Sequence, residues 1–322
     1  MIRNFLEQNS IPYDINIPLS KKTWIKTGGN CNFFVTPNTI LQLQQIASFL
    51  YKNIIPFEVV GATSNCYFLN DYSPKVVIST LHLNKIVETD SKIICDCGVL
   101  VSTLARKCVK KGYKGFSGLV NLPGTISAAI YGNAGCFGCH VTSLLEHVSV
   151  LTYNKSTNQV EITKLNVHQL YLSHRSSVFK RKDILGVILS VTLKKELSEP
   201  RTEMKKAEYA TLTRKSTQEP PVGNLGSIYM KLVYRKNMKN IIAYSIKSML
   251  RFLHISNDGM TFYKHLQLWF YGYRFLDKYI SDKNINTFIW ADSDSEKMFP
   301  IYQEFMNKVY LNPQLEIEIK QQ

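Results

Sequence analysis

The chain has 322 residues, with 39 Lys and Arg against 24 Asp and Glu and a formal net charge of +15. Its 45% hydrophobic and 20% charged residues exclude a disordered chain, and its length excludes one small core and points to two main parts. No segment reaches about 18 uncharged apolar residues, so a membrane span is excluded and no membrane partner is expected. The basic residues are scattered. Arg106-Lys107 and Lys110-Lys111 are short, interrupted runs of the kind found on a solvated helix face. Such a surface attracts phosphorylated small ligands. It argues against a dedicated nucleic-acid groove.

The first twenty residues read as a loose lead-in, with breakers at Pro12 and Pro18 and no apolar core of a secretory signal. Residues 31–35 read as a strand. Residues 39–52 carry Leu43, Ile46, Ala47 and Leu50 at helical spacing. A short strand at 57–60 runs into the turn Gly61-Ala62-Thr63-Ser64-Asn65. Strands follow at 75–78 and 93–97, then a helix at 101–111 closed by Gly112. Next come Leu122-Pro123-Gly124-Thr125-Ile126-Ser127-Ala128-Ala129 and Gly132-Asn133-Ala134-Gly135. Small residues let backbone approach something flat, and free N–H groups in such a loop suit an anion.

Strands are expected at 148–152 and 187–191, a helix at 200–213, and a boundary closing at Pro220-Pro221. Beyond it, strands are expected near 227–231 and 287–291, a helix at 295–309 and a last strand at 315–320. The aromatics Phe262, Tyr263, Trp269, Phe270, Tyr271 and Tyr273 read as core. The fold class is α+β.

Seven cysteines in a chain without a visible signal point to reduced thiols and a cytoplasmic location. Cys136-Phe137-Gly138-Cys139-His140 matches the spacing of covalent haem attachment. That chemistry needs export in most settings, so backbone approach at the end of the small-residue loop is the preferred reading. No second Cys/His pair at zinc spacing follows, so no metal site is expected.

Two further clusters carry chemistry. His174-Arg175-Ser176-Ser177-Val178-Phe179-Lys180 sets cations among hydroxyls before a strand, and Gly223-Asn224-Leu225-Gly226-Ser227 presents a serine after a glycine turn. The joint order resembles the UDP-N-acetylenolpyruvoylglucosamine reductase (MurB) family. Its Thr…Gly-Gly segment looks like Thr23 to Gly29, and its Gly-x-x-Ser-Asn turn looks like Gly61 to Asn65. Its Ala-Gly-x-Gly strand end loosely resembles Cys95 to Gly98. Its Pro-Gly-Thr…Asn-Ala-Gly signature looks like Leu122 to Gly138 and is the most specific match. Its Tyr-Arg-x-Ser-x-Phe-Lys motif resembles His174 to Lys180, and its Gly-Ser-x-Phe segment resembles Gly226 to Tyr229. The resemblance covers roughly residues 20–232.

It implies a PCMH/MurB-like FAD-binding region at 1–200, in two α+β subdomains (20–80 and 81–200), and an α+β substrate domain at 215–322. Non-covalent FAD would be held by Gly28, Gly29, Gly61, Thr63, Ser64, Asn65, Pro123, Gly124, Thr125, Asn133 and Gly135. NADPH would reduce the flavin, which would then reduce the enolpyruvyl group of a UDP-sugar in peptidoglycan precursor synthesis. The reaction leaves an enolate-like charge, which Arg175 would stabilise, and a carbon to protonate, which Ser227 would serve. A monomer is expected.

The resemblance also implies a late glutamate, in a Leu-Glu-x-Glu-Val context. The closest spacing places Gln314 there, and a shifted alignment places Glu318 there, with Glu316 on the same strand face as a competitor. Ser127, His174 and Met230 also stand where the family usually has Gly, Tyr and Lys. A flavoprotein of the same fold with a changed substrate is the first alternative. A basic nucleic-acid-binding protein is the second.

Overall fold

Ile2 and Leu6 sit one helical turn apart, and that spacing decides the first element. In the computed structural model, which describes residues 1–252 and 259–321, they form α1 (Ile2–Gln8) and pack into a buried cluster with Leu43, Ile46 and Leu50. β1 (Tyr13–Pro18) then pairs antiparallel with β2 (Asn30–Val35). The expected loose lead-in is therefore wrong. Its two prolines bracket an edge strand, a position where proline is tolerated.

Thr39 caps α2 (Ile40–Lys52), its Oγ1 accepting from Gln42 N–H at 3.1 Å. β3 (Glu58–Val60), β4 (Cys66–Phe68) and β5 (Val76–Ser79) follow. The first sheet has the order β1-β2-β5-β3, with β5 parallel to both β2 and β3.

The second sheet is built from β6 (Ile86–Glu88) and β7 (Lys92–Asp96), then three long strands further along. Between them lie α3 (Val101–Lys110), α4 (Ile126–Tyr131) and a hairpin of β8 (Gly135–Cys136) and β9 (Cys139–His140). The long strands are β10 (Leu145–Asn154), β11 (Gln159–Asn166) and β12 (Gly186–Lys194). The order is β11-β10-β12-β7-β6, antiparallel throughout. Leu104, Cys108, Leu119, Ile126 and Ile130 pack with Val148 and Val191 of the sheet.

The Cys-x-x-Cys stretch is that β8–β9 hairpin. Phe137 and Gly138 both have positive φ, 49° and 75°, as a two-residue turn of this hand requires. The thiols bracket one residue: Cys136 Sγ donates to Gly118 O at 2.9 Å, and Gly118 N–H donates to Cys139 Sγ at 3.4 Å.

α5 (Pro200–Thr217) opens on a proline and runs four residues past its expected end. β13 (Asn224–Ser227) pairs with β14 (Thr287–Ile289). The strand expected at 227–231 is thus displaced. Residues 228–230 instead form an isolated antiparallel bridge, Tyr229 opposite Leu315, and Ile228 N–H donates to Asn286 O. Two helices, α6 (Met238–Phe252) and α7 (Gly259–Tyr271), occupy a stretch that aromatic content alone did not resolve. α8 (Ser295–Val309) falls where its periodicity places it. The last strand is shorter than 315–320. β15 (Glu318–Lys320) runs parallel to β4, pairing Glu318 with Cys66. The chain end therefore returns to the N-terminal part, and Ile25 and Tyr67 join Phe288, Phe299, Tyr302 and Phe305 in one cluster.

Candidate functional site

Two backbone turns meet at Gly61 and Thr125. A Cβ at Gly61 would strike the Thr125 side chain, so only glycine lets the 61–65 turn seat there. Thr125 is buried at the head of α4, and the preceding carbonyl, Gly124 O, accepts from Val101 N–H at 3.0 Å. Gly124 has φ +106°, and a Cβ there would meet only Ser64 Oγ, 3.4 Å away. Gly124 and Ser64 thus border the same open space, beside Pro123.

Neighbouring predicted residues are tied into the protein by their side chains. Thr63 Oγ1 accepts from Trp24 N–H at 2.8 Å, and Asn65 Nδ2 donates to Glu316 O at 3.2 Å. Asn133 Nδ2 donates to Ser173 O at 2.8 Å, while its Oδ1 accepts from Thr142 Oγ1 at 2.8 Å. Gly28 and Gly29 allow close approach: a Cβ would collide with Leu19 and Phe68 at the first, and with the carbonyls of Asn70 and Tyr72 at the second. At Gly135 it would collide with His140 and Cys139. Next to the Gly-Gly pair, Thr27 Oγ1 is buried with no protein partner. An orphaned hydroxyl and a side-chain-free loop edge fit a ligand rich in hydrogen-bonding oxygens, as the phosphates and sugar of a dinucleotide are.

Arg175 enters from a tight turn. Ser173 and Ser176 exchange both backbone bonds at 3.1 Å, leaving His174-Arg175 at the tip with Arg175 at φ +55°. A left-handed conformation at a non-glycine residue costs on the order of 1 kcal/mol or more and persists where surroundings enforce it. Here Ser177 Oγ donates to Tyr131 O at 2.7 Å and pins the turn's exit to α4.

The last residues of the chain complete the site. Glu316, Glu318 and Lys320 alternate along one face, and each meets an opposite charge from the N-terminal region. Arg175 Nε lies 2.8 Å from Glu316 Oε1, Lys180 Nζ lies 2.8 Å from Glu318 Oε1, and Lys320 Nζ lies 2.8 Å from Glu58 Oε2. The Arg175 contact is an ion pair without hydrogen-bond alignment at Nε. Burial raises the Glu316 carboxyl above the ordinary range, against the opposing pull of Arg175 and Lys180. Glu316 N–H donates to Ile228 O at 2.8 Å, next to Ser227. Arg175 and Glu316 therefore meet from distant segments, and the backbone of Glu316 is bonded to the residue that follows Ser227. Gln314 serves through its carbonyl, which accepts from Met230 N–H at 2.9 Å. Glu316, rather than Gln314, stands at Arg175.

Trp24 was not singled out by sequence, yet it joins three site segments. Its backbone N–H reaches Thr63, and its indole Nε1–H donates to Asn224 O at 3.1 Å. Among the described residues, no group of three His, Cys, Asp or Glu is placed to hold a metal ion.

A family profile described as an FAD binding domain matches residues 31–157. The UDP-N-acetylenolpyruvoylglucosamine reductase of Listeria welshimeri serovar 6b is 30% identical over 222 residues, covering 69% of this chain and 72% of that protein. The protein of the same name from Staphylococcus aureus (strain MRSA252) is 28% identical over 218 residues, covering 67% and 68%. The crystal structure of UDP-N-acetylenolpyruvylglucosamine reductase (MurB) from Thermus caldophilus superposes with a TM-score of 0.69 at 18% identity, covering 97% of this chain and 100% of that one. That likeness shows the shared fold.

Proposed function

The chain belongs to the UDP-N-acetylenolpyruvoylglucosamine reductase family, and from that premise we propose how its own residues serve the reaction. It is an FAD-dependent oxidoreductase that reduces UDP-N-acetylglucosamine enolpyruvate to UDP-N-acetylmuramate in peptidoglycan precursor synthesis. Residues 1–200 form the cofactor region and 215–322 the substrate domain, in a cytoplasmic monomer. NADPH is the reductant, in keeping with the +15 surface that draws polyanions.

Bound FAD supplies the two-electron carrier between NADPH and the enolpyruvyl group. The backbone edges at Gly61, Pro123-Gly124-Thr125 and Gly28-Gly29 hold it, with the Ser64 and Thr27 hydroxyls as donors. Thr63, Asn65, Asn133 and Gly135 act one step back, by locking those segments together. Arg175 holds the substrate carboxylate and stabilises the charge that develops beside it, because guanidinium stays ionised and grips oxygens in a fork. Ser227 donates the proton to carbon. Glu316, whose carboxyl burial raises against the pull of Arg175 and Lys180, supports that proton delivery and orients Arg175. A shifted alignment to the family's late glutamate points instead to Glu318, which pairs with Lys180.

The carrying observation is the meeting of Arg175, from a strained turn, with Glu316 beside the Ser227 segment. The test separates the half-reactions in an anaerobic stopped-flow experiment. NADPH is expected to bleach the flavin absorbance and the enolpyruvyl UDP-sugar to restore it. Arg175→Ala and Ser227→Ala are expected to slow only the second phase, by roughly 100- to 1,000-fold, about 2.7–4 kcal/mol. Equal loss in both phases would reject the roles. Glu316→Gln against Glu318→Gln, in the same second phase, identifies the late carboxylate.

A further inference from the structure

Helix α6 faces the wrong way for a helix in water. A surface helix normally turns its apolar stripe to the core. Here Met238, Ile241, Ile242, Met249 and Phe252 recur at spacings of three and four and lie on one outward face. They are 69%, 54%, 41%, 54% and 83% exposed. The protein-facing side carries the polar and small residues instead. Asn240 is buried, its Nδ2 donating to Arg235 O and Val309 O at 2.8 Å each, and Ala243 is buried beside it. Lys239 Nζ donates to Phe270 O at 2.6 Å. The inversion is thus built in by specific bonds.

Along the helix itself, Met238–Phe252, the only charged residues are Lys and Arg. Residues 220–257 contain six Lys and Arg and no carboxylate. Lys231 and Lys236 are exposed just before the start of the helix. A second copy of this chain is a poor cover, because a symmetric contact would set the cation-only patch against itself. An anionic lipid surface suits both features. An interfacial helix sinks its apolar face shallowly among the acyl chains, while neighbouring Lys and Arg meet the headgroups.

We propose that α6 docks the protein on anionic membrane surfaces, lying flat at the headgroup level. Among the described residues, no helix is long and apolar enough to cross a membrane, and lying in the interface requires no such helix. The expectation of no membrane partner rested on the missing span alone.

The test is co-sedimentation of the FAD-loaded protein with sucrose-filled vesicles. One set contains equal parts phosphatidylglycerol and phosphatidylcholine, and the other phosphatidylcholine alone. The protein is expected to pellet with the first set and not the second, and to be released by high salt. The double variant Ile241→Glu, Met249→Glu is expected to lower partitioning at least about tenfold, since each change would bury a charge in lipid. Its flavin spectrum and turnover are expected to match the parent, which shows that it folds. The proposal is overturned if the parent stays in the supernatant with anionic vesicles. It is also overturned if parent and variant pellet equally, which would assign binding to net charge. A dimer in sedimentation velocity that the same variant dissolves overturns it in favour of a self-association face.

Discussion

The core over residues 93–207 is aliphatic and rich in thiols, drawing on Ile93, Cys95, Leu104, Cys108, Val148 and Val191, whereas the core over residues 225–317 is aromatic, drawing on Tyr229, Phe288, Phe299, Tyr302 and Phe305. Aliphatic side chains pack without orientation, so strands and helices in the first core are free to follow simple alternation. Tyrosine brings a hydroxyl that must be placed as well as a ring. Tyr302 OH donates to Ile285 O at 3.0 Å, whereas the hydroxyls of Tyr67 and Tyr229 are buried without a protein partner. The second core is therefore more specific in its contacts and less regular in its elements.

The comparison breaks most directly at Phe288. Its ring packs against Tyr279, Trp290, Phe299 and Tyr302. Phe288→Ala is expected to destabilise by about 3–5 kcal/mol. Urea unfolding followed by tryptophan fluorescence is expected to show the second region melting first, while flavin absorbance holds to higher urea. Simultaneous loss of both signals would mean that Ile25 and Tyr67, which reach into the aromatic core, fuse the regions into one cooperative unit.

Much of the first region was legible. Leu43, Ile46, Ala47 and Leu50 gave α2 by periodicity, and the small-residue run marked the loop that meets the 61–65 turn. Arg175 was legible by motif. What the sequence could not show is which partners those residues take. Thr63 and Asn65 are bonded to Trp24 and Glu316, 39 and 251 residues away, and no local pattern encodes that. The late carboxylate was ambiguous for the same reason. Alternation put Glu316 and Glu318 on one face, but only the parallel pairing of β15 with β4 decides which cation each meets. In the second region, α6 carries apolar residues at helical spacing that a reading by aromatic content passed over, and the outward direction of that face is set by tertiary bonds that no local pattern encodes.

A smaller effect sharpens the comparison at the cofactor turns. Gly61→Ala places a methyl into Thr125, and overpacking of this kind typically costs about 1–3 kcal/mol. The variant is expected to bind FAD at least about tenfold more weakly by fluorescence titration while the aromatic region keeps its unfolding midpoint, since every 1.4 kcal/mol is tenfold in affinity. An unchanged FAD affinity would show that the junction of the two turns is a packing contact alone.

The smallest effect tests whether charge contributes to the first region. Glu88, on β6, gathers Lys111 Nζ at 2.5 Å, Lys195 Nζ at 3.0 Å and the Tyr113 hydroxyl. Chiefly the Lys111 bond, then those of Tyr113 and Lys195, lower its carboxyl to about 2. A folded-state value below the unfolded one adds stability that is complete above the unfolded value, about 4.3, and fades as pH falls toward 2. Because the cluster lies at the surface, solvent screening limits the gain to less than about 1 kcal/mol. Glu88→Gln is therefore expected to lower the urea midpoint slightly at pH 7, with the gap narrowing below about pH 4 and closing near pH 2. A gap that stays constant down to pH 3 would show that Glu88 acts through packing and its neutral hydrogen bonds, leaving the first region held by its aliphatic core.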